Sequence, residues 1–541
     1  MPQQTKSQDK VYDFIVVGAG SAGSIVASEL ARSGAHVLLI EAGSDNFDPA
    51  IPDLKQYYDV AFNTHSFGWL KWGYQTVDQK MMAAQQSEVT TARKIDLPRG
   101  KALGGTHSIN ACAYVQANAE DFNSIARELG DSDWEWERTR PLRNRLEKTL
   151  GIVELGRGQV GAEEFIKSAE DVLGFPFNSD PTDGSQYGIS PSFWTAQETP
   201  DGGRRRSSFE SFLLPLLNDQ NDAWKGRLEN PESSSDQPSY YFQGSGFIDV
   251  VIHHLAKELI FDPSDPSRVT GVTCYNNCTF SEANFTASKD VIVATGTYNS
   301  PQLLLRSGIG PAGHLNKLGI EVKIDLAGVG SNLKDHYAVA TYWNLRDLPE
   351  TTPFLFQSPI MNMYGPETSG QTSFQIEISG NYGSCVPLRQ ESSGTVRLKD
   401  AALESPPLID PNILSVESDI DDLVEGLEKY VLPFFADLVA KGLLAVGNID
   451  PSTATKADLR RFVLDNVTTN HHPVGTCKLG PASDKMAVVD GNFKVYGTSN
   501  LRIIDASVFP NPPSGNINAP TMTMALIASQ KLLREQSNTS I

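Results

Sequence analysis

Two adjacent histidines, His471 and His472, stand directly before a proline in the segment TTNHHPVGT. Imidazole titrates near neutral pH, so a fixed histidine suits general base chemistry. The residue before a proline is steered away from helical geometry, and neighbouring side chains on an extended backbone point to opposite faces. We therefore expect one of the pair, His472, to face a site as a rigidly held base. Taken alone, the pattern is as typical of a core or surface histidine.

Other polar clusters carry weaker signals. The loop NPPSGNINAPT, from Asn511 to Thr521, contains several asparagines before the last apolar helix, but such loops usually only turn the chain. The nine histidines show no H-x-H or H-E-x-x-H spacing, and Cys274 and Cys278 have no second Cys or His pair nearby, which argues against a metal site. Five scattered cysteines in a chain of 541 residues are not a disulfide framework.

The N-terminal stretch must position any cofactor chemistry. An apolar run ends at Gly18, Gly20 and Gly23 in G-x-G-x-x-G spacing, and apolar residues then recur at helical intervals to Leu30. Gly18 permits a tight turn, Gly20 lets backbone N–H groups approach a pyrophosphate, and Gly23 lets the helix pack closely on the strand. The anion would then lie at the N-terminus of the helix, where the unsatisfied N–H groups favour it.

The next predicted strand supports this interpretation. Residues His36 to Ile40 form an apolar run that ends in Glu41, and an acid there can accept the ribose hydroxyls of an adenosine. Dinucleotide binding is therefore predicted, with NAD and FAD both open at this point. A glycine turn that only reverses the chain is the alternative.

Two later segments repeat the glycine-punctuated style. Arg99, Gly100, Gly104 and Gly105 lie in PRGKALGGTHSINACAYVQA, where a flat ligand or a phosphate passing close to the backbone would explain the glycines. Residues Asp290 to Gly296 (DVIVATG) read as a buried strand that ends in glycine, and a helix is predicted to start at Ser300-Pro301.

Composition limits the function classes. The chain is 40% hydrophobic and 20% charged, and its formal charge of −20 disfavours nucleic acid and anionic lipid as partners. No window approaches the 18 or more apolar residues of a membrane span. The polar N-terminus, MPQQTKSQDK, lacks an apolar signal region, so we expect a cytoplasmic enzyme, with a secreted mature form as the alternative.

The elements indicate two domains in an α/β (α+β overall) fold. Glycine-linked strands near both ends of the chain predict a nucleotide-binding domain built from residues 8–150, 247–341 and 463–541. Period-two segments such as SFQIEIS and GTVRL predict an inserted antiparallel sheet flanked by helices, over residues 151–246 and 342–462. The polar stretch Asn218–Gly246 is predicted to be a long surface loop or flap.

Together these segments resemble the glucose-methanol-choline (GMC) family of FAD-dependent oxidoreductases over essentially the whole chain. The similar segments are GAGSAG with Glu41, GKALGGTHSIN, GTYNSPQLLLRSGIG, GVGSNLKDH at Gly328–His336, HHPVGT and LRIIDASVFP. The resemblance implies a Rossmann-like FAD-binding domain, FAD rather than NAD, and oxidation of an alcohol.

The resemblance also implies site residues. His472 matches the catalytic histidine, and Asn516 matches the second catalytic position, which carries His or Asn in the family. The residues that it assigns to FAD binding are Gly18, Gly20, Ser21, Ala22, Gly23, Glu41, Ala42, Trp72, Arg99, Gly100, Gly104, Gly105, Asn110, Ala111, Cys112, Ala113, Ala256, Thr295, Gly296, Asp505, Ala506, Asn516, Asn518, Ala519 and Pro520. The substrate-pocket candidates are His471, Phe354 and Phe374, the two phenylalanines for an aromatic or apolar alcohol or, equally, for core packing.

The chain departs from the family pattern in three respects. His107 follows Gly105-Thr106, where a small residue is usual, and it is a candidate to reach the flavin ring. Ile109 stands where some members carry the histidine that bonds FAD covalently, so noncovalent FAD is expected. The segment between His336 and Val396 is short, so we expect a reduced substrate cap that Asn218–Gly246 partly completes.

The mechanism that the resemblance implies is hydride transfer from an alcohol carbon to flavin N5. His472 takes the hydroxyl proton, and His472 and Asn516 stabilise the alkoxide; the electrons then pass to O₂ (oxidase) or to another acceptor (dehydrogenase). The main alternative is a lyase of the hydroxynitrile-lyase type on the same scaffold. A light-driven decarboxylase and a flavin-binding protein without chemistry are further alternatives.

Overall fold

The computed structural model describes residues 10–45, 68–79, 92–156, 161–197, 204–217, 241–243, 248–345, 360–368 and 370–539. Its first sheet has eight strands in the order His254–Asp262, Asp265–Asn276, Ser281–Val293, Val11–Val17, Val37–Ile40, Ile248–Val251 and Tyr241–Gln243, with Leu501–Ile503 paired to Ser281–Val293. The strands from Leu501–Ile503 to Ile248–Val251 are parallel, as their continuous apolar sequences predict.

The long strand Ser281–Val293 joins two kinds of pairing. Its first half pairs antiparallel with Asp265–Asn276, and its second half pairs in parallel with both Val11–Val17 and Leu501–Ile503. The helix Ser21–Arg32 packs against the C-terminal helix Asn518–Thr539 beside this sheet, and one hydrophobic core joins them. The N-terminus of Ser21–Arg32 therefore lies next to the loop that carries Asn516.

The second sheet also has eight strands, and all of its pairings are antiparallel. Their order is Thr468–Thr469, Tyr337–Tyr342, Tyr382–Pro387, Phe374–Ser379, Ile360–Tyr364, Gly188–Gln197 and Ile152–Leu155, with Arg204–Arg205 paired to Gly188–Gln197. The helices Glu417–Gly426 and Leu432–Ala440 and the π-helical turn Leu427–Val431 between them share one apolar core with this sheet.

Alternation decides which side chains of the second sheet face those helices. In the strand Phe374–Ser379, the apolar Phe374, Ile376 and Ile378 lie in the core, whereas Glu377 and Ser379 line a cavity on the opposite face. The period-two prediction for SFQIEIS is therefore confirmed, and the polar face is the one that meets the candidate site.

The remaining described elements connect these layers. The other helices and helical turns are Gly68–Leu70, Gly105–Ser108, Ala119–Leu129, Ser132–Trp134, Trp136–Leu150, Ala162–Ser168, Ala169–Leu173, Phe209–Leu213, Leu214–Leu217, Gly296–Arg306, Ala312–Lys317, Lys456–Asn466 and Ala506–Val508. Two-stranded sheets pair Lys71–Gln75 with Asp96–Gly100, Ile309–Gly310 with Ile324–Asp325, Asn344–Leu345 with Leu444–Ala445, Glu367–Thr368 with Gln371–Thr372, and Thr395–Arg397 with Leu408–Asp410.

Three predicted boundaries need adjustment. The strands Tyr337–Tyr342 and Thr468–Thr469 pair within the second sheet, although the sequence places them in the nucleotide-binding segments. The strand Tyr241–Gln243, predicted within the flap, pairs with the first sheet. The helix predicted from Ser300 begins at Gly296, because Pro301 is tolerated within its first turns. The rest of the flap lies outside the described residues.

Candidate active site

A cavity of 1820 Å³ is lined by residues of both sheets and of the hairpin formed by Lys71–Gln75 and Asp96–Gly100. The turn after the first strand forms one wall, where Gly18, Gly20, Ser21 and Ala22 face the space. The helix that follows has no side-chain cap at Gly20, so its first N–H groups are available to a ligand. This wall is suited to an anion such as a pyrophosphate.

Close backbone contacts explain the glycines of this wall. Gly18 has φ +103°, and a Cβ on it would lie 2.4 Å from the carbonyl oxygen of Ala294. A Cβ on Gly105, at φ +54°, would lie 2.7 Å from Gly20 Cα. We call the turn at Gly18–Gly20 the first glycine loop and the turn at Gly104–Gly105 the second. Their backbones are in contact, as expected where two loops enclose a flat ligand.

Carboxylates and amides surround the nucleotide side of the cavity. Glu41 accepts hydrogen bonds from the N–H groups of Ala19 (3.0 Å) and Gly43 (2.9 Å), and burial raises its pKa to about 7. Asn518 accepts from Ser21 Oγ at 2.7 Å, while its buried Nδ2 makes no hydrogen bond among the described residues. These groups, with the glycine loops and the volume, fit an adenine dinucleotide.

Asp505 hydrogen-bonds to the segment around Gly296, which we call the third glycine loop. Its Oδ2 accepts from the Gly296 N–H at 2.9 Å and from Ser300 Oγ at 2.5 Å, and its Oδ1 accepts from the Ser507 N–H at 2.8 Å. The carboxylate thus fixes the backbone that lines the cavity.

Most residues predicted to bind the cofactor line this cavity. They are Gly18, Gly20, Ser21, Ala22, Glu41, Ala42, Trp72, Arg99, Gly100, Gly105, Asn110, Ala111, Ala113, Ala256, Thr295, Gly296, Asp505, Ala506, Asn516 and Asn518.

Five predicted residues do not line it. Gly23 packs on the Gly18 carbonyl, Gly104 forms a left-handed turn against Ser108, and Cys112 lies in a buried cluster with Trp194. Ala519 and Pro520 lie in the buried first turn of the C-terminal helix. They support the cavity wall from behind, because only the backbone next to them reaches the space.

The two predicted catalytic side chains, those of His472 and Asn516, meet at the wall of this cavity. Asn516 Nδ2 donates to His472 Nε2 at 3.1 Å, and both residues line the space that the glycine loops share. On the amide's other side, Gln375 Nε2 donates to Asn516 Oδ1 at 3.3 Å, which fixes which end of the amide faces the histidine.

A second imidazole completes the hydrogen bonding of His472. His336 Nδ1 lies 3.1 Å from His472 Nδ1, and His336 is fully buried. Since Nε2 of His472 accepts from Asn516, its proton lies on Nδ1 and is donated to His336. Burial lowers the pKa of His472 well below its ordinary value, and the nearby His336, His471 and Arg99 lower it further. The base is thus held neutral, and its Nε2 lone pair accepts from Asn516 at the cavity wall.

The backbone at His471 differs from the extended geometry that we predicted. His471 has φ +63°, in the left-handed region, and both His471 and His472 line the cavity. The prediction that only one of the pair faces the site is therefore wrong, because the turn at His471 breaks the alternation. Burial and the neighbouring Arg99 lower the pKa of His471 to about 3.

Asp335 holds this turn. Its Oδ1 accepts from the His472 N–H at 2.8 Å, and its Oδ2 accepts from Thr469 Oγ1 at 2.5 Å. Thr469 Oγ1 in turn accepts from the His471 N–H at 2.8 Å. Burial raises the pKa of Asp335 to about 6. The carboxylate therefore sets the backbone position of both imidazoles.

We expect Asp335→Asn to lower kcat by about 10-fold to 100-fold, because one amide end cannot accept a hydrogen bond and the base shifts by a fraction of an ångström. FAD content should be unchanged, since Asp335 does not line the cavity. Steady-state kinetics and the flavin-to-protein absorbance ratio check both points. An unchanged kcat would show that Asp335 does not position His472.

Two further predictions are corrected. Phe374 lies in the core of the second sheet, 5.5 Å from the Tyr430 ring between centroids, so it does not line the pocket. His107 is fully buried away from the cavity, where its Nδ1 accepts from the Ser208 N–H and its Nε2 lies 3.0 Å from Thr195 Oγ1. It does not line the cavity. Phe354 lies outside the described residues.

The sequence did not indicate the roles of several residues that line the cavity or support its wall. Glu377 lines the cavity beside the catalytic pair, and Asn470 Nδ2 donates to Glu377 Oε1 at 3.2 Å. His336 was noted only as part of a resembling segment. Glu377 is one of the polar positions of the alternating segment SFQIEIS, so that alternation was the pattern that could have predicted its place in the cavity.

Comparison with known proteins decides the family. The GMC oxidoreductase profiles match residues 12–223 and 248–338 for the N-terminal domain and 390–525 for the C-terminal domain. This chain belongs to the GMC oxidoreductase family. It is 27% identical to an oxygen-dependent choline dehydrogenase of Rhizobium johnstonii, over 97% of this chain and 96% of that protein. It is 28% identical to an alcohol dehydrogenase (acceptor) of Pseudomonas putida, over 98% of this chain and 97% of that protein.

Solved structures share the fold of this GMC oxidoreductase. A formate oxidase from Aspergillus oryzae aligns with a TM-score of 0.81 at 23% identity, covering 98% of this chain and 99% of its own. Pyridoxine 4-oxidase from Mesorbium loti aligns with a TM-score of 0.78 at 23% identity, covering 97% and 99%. The family and its relatives make this chain an FAD-dependent oxidoreductase that acts on CH–OH donors.

Two kinds of feature are absent from the described residues. They contain no helix with the length and apolarity that a membrane crossing requires. They also contain no group of three or more His, Cys, Asp or Glu side chains placed to hold a metal ion.

Proposed function

We propose that this GMC oxidoreductase oxidises an alcohol to an aldehyde or ketone, with His472 as general base and Asn516 as its partner. The observation that supports the proposal is the 3.1 Å hydrogen bond between Asn516 Nδ2 and His472 Nε2 at the edge of a cavity shared with the glycine loops. The acceptor of the electrons is O₂ or another carrier.

The chain's own residues handle the alcohol proton. A bound alcohol replaces the hydrogen bond between Asn516 and His472: its hydroxyl donates to the lone pair of His472 Nε2, and the Asn516 N–H donates to the hydroxyl oxygen. As the proton moves to Nε2, the developing alkoxide lies between an imidazolium and an amide donor in a buried site. His336 Nδ1 accepts from His472 Nδ1 and so holds the cation in place.

FAD, when bound, supplies the two-electron acceptor for the carbinol hydride. The residues that would hold it are the glycine loops at Gly18, Gly105 and Gly296, with Glu41 and Asn518. Ile109 lines the cavity at the position expected for a covalent histidine, which supports noncovalent binding.

If FAD is bound noncovalently, denaturation with acid should release all the flavin into the supernatant.

The pH dependence follows from the histidine environment. Burial and neighbouring positive charge lower the pKa of His472, so its neutral, competent form persists well below pH 6.5. We therefore expect kcat/KM to be flat from about pH 6.5 to 8 and to fall only on the acid side, as Nε2 becomes protonated. A pH profile of kcat/KM checks this. An acid limb centred at or above pH 6.5 would contradict the assignment of His472.

The function is tested by mixing the holoprotein anaerobically with aryl, aliphatic, sugar and amino alcohols and following the flavin absorbance. Bleaching by an alcohol, with formation of a carbonyl product, supports the proposal. Hydroxynitrile cleavage without bleaching would support the lyase instead. Admitting O₂ or a quinone to the bleached enzyme then identifies the acceptor from the rate of recolouring.

A further inference from the structure

Glu377 is a carboxylate placed directly beside the catalytic pair. It follows the alternation of the strand Phe374–Ser379, which sends Phe374 into the core and Glu377 into the cavity. Asn470 Nδ2 donates to its Oε1 at 3.2 Å, and the nearby amide of Asn516 lowers its pKa. The proposed mechanism makes no use of this acid.

Neighbouring contacts place Glu377 near a bound alcohol. Gln375 and Glu377 lie two positions apart on the same face of one strand, and Gln375 Nε2 donates to Asn516 Oδ1 at 3.3 Å. Asn516 in turn hydrogen-bonds to His472 Nε2, which takes the alcohol proton in the proposed mechanism. The nearest substrate position from which a second group could donate to Glu377 is the carbon next to the carbinol carbon.

The charges around Glu377 also favour a ligand that donates a hydrogen bond to it. Burial raises the pKa of Glu377, and only the neutral amides of Asn470 and Asn516 act against that effect. In the described parts of the chain no lysine or arginine forms an ion pair with it. Burying a carboxyl group with few partners is costly, so a ligand that donates to it is favoured.

The other lining residues of the second sheet include several polar ones. Ser379, Asn381, Ser384 and Thr469 line the cavity, beside Ala338, Ala340, Tyr342 and Tyr382, whereas Phe374 is turned away. The polar members offer hydrogen-bond partners to a polar alcohol that the apolar face of the strand Phe374–Ser379 does not.

We propose that Glu377 is a substrate-binding residue that selects alcohols carrying a hydrogen-bond donor on the adjacent carbon, either a hydroxyl (1,2-diols) or an ammonium (2-amino alcohols). The inference rests on the proposed alcohol oxidation at His472 and Asn516. Substrates without that donor add no hydrogen bond to the carboxyl group of Glu377, which then keeps only its protein partner Asn470.

The experiment compares kcat/KM of the holoenzyme for 1,2-propanediol and 2-aminoethanol with that for 1-propanol and 2-methoxyethanol. 2-Methoxyethanol matches 1,2-propanediol in size and 1-propanol matches 2-aminoethanol, but neither control has a donor on the adjacent carbon. We expect at least one donor-bearing substrate to be preferred by about 10-fold or more, the usual worth of a hydrogen bond to a charged group. Whether 1,2-propanediol or 2-aminoethanol has the higher kcat/KM shows whether the site binds a hydroxyl or an ammonium.

Two variants assign the preference to this side chain. Glu377→Gln and Glu377→Ala should each reduce the ratio at least about 5-fold, and Gln should lose more for the amine than for the diol because it carries no charge. Glu425→Gln is the matched control, since Glu425 pairs with Lys429 on a helix surface outside the cavity. A flavin absorbance ratio equal to wild type shows that each variant has folded.

Each outcome decides the inference. Oxidation of all four compounds at similar kcat/KM, or a preference that persists in both Glu377 variants, overturns the role of Glu377 and leaves alcohol oxidation intact. Failure of every alcohol, including those of the wider screen, to bleach the flavin overturns the proposed function itself. A preference lost in both variants and kept in Glu425→Gln supports the inference.

Discussion

His472→Ala should lower kcat by about 10³-fold while the purified protein keeps its yellow flavin. The substitution removes the lone pair that takes the alcohol proton and leaves Asn516 Nδ2 without its 3.1 Å acceptor. The glycine loops that would hold FAD make none of the hydrogen bonds that the His472 side chain has with Asn516 and His336, so the substitution leaves them in place. Steady-state turnover with the best alcohol and the visible spectrum of the same sample measure the two effects.

His471→Asn provides the matched control. His471 also lines the cavity but makes no hydrogen bond to Asn516, and asparagine tolerates the left-handed φ of +63° that alanine would strain. We expect this variant to lose no more than about 10-fold in kcat. Equal losses in the two variants would mean that the imidazole of position 472 has no special role.

Gly105→Ala should weaken FAD binding by about 10-fold to 100-fold. Its Cβ would lie 2.7 Å from Gly20 Cα, so the first and second glycine loops must separate. The φ of +54° adds strain, because it is a left-handed conformation that alanine rarely adopts. Reconstitution of the apoprotein with FAD, followed by flavin fluorescence quenching, gives the dissociation constant.

Gly73→Ala is the control for this effect. Gly73 also lines the cavity, but a Cβ there meets nothing within 4 Å, and its φ is not positive. FAD affinity should therefore stay within about 3-fold of wild type. If Gly105→Ala binds FAD as tightly as Gly73→Ala does, the contact between the two loops does not shape the cofactor site.

The nucleotide side of the site could be predicted because its signals are local. The spacing of Gly18, Gly20 and Gly23 reports a strand, a turn and a helix within a few residues, and Glu41 follows one strand later. The structure places the first two glycines and Glu41 on one cavity wall, and Gly23 behind it for the close packing that we assigned to it.

The substrate side was predicted less well because it depends on which face of a strand is buried. The alternation in SFQIEIS correctly predicts an antiparallel strand, but our prediction that the aromatic Phe374 lines the pocket is wrong. Helices pack on the apolar face, so the polar positions meet the cavity. Glu377 follows from the same pattern once the covered face is known.

The supports of the catalytic histidine could not be predicted from local sequence. His336 and Asp335 lie 136 and 137 positions before His472, and their contacts arise only when Tyr337–Tyr342 pairs with Thr468–Thr469. That pairing joins two segments that are far apart in the sequence. The left-handed turn at His471 has the same origin, since Asp335 and Thr469 hold it.

The central claim is that the imidazole of His472 takes the alcohol proton beside bound FAD. Its most direct test is the rate of anaerobic flavin bleaching in His472→Ala, measured by rapid mixing with and without added imidazole. We predict that bleaching is slowed by about 10³-fold and is restored, at least in part and in proportion to concentration, by imidazole entering the vacated space. Bleaching at the wild-type rate without imidazole would contradict the account.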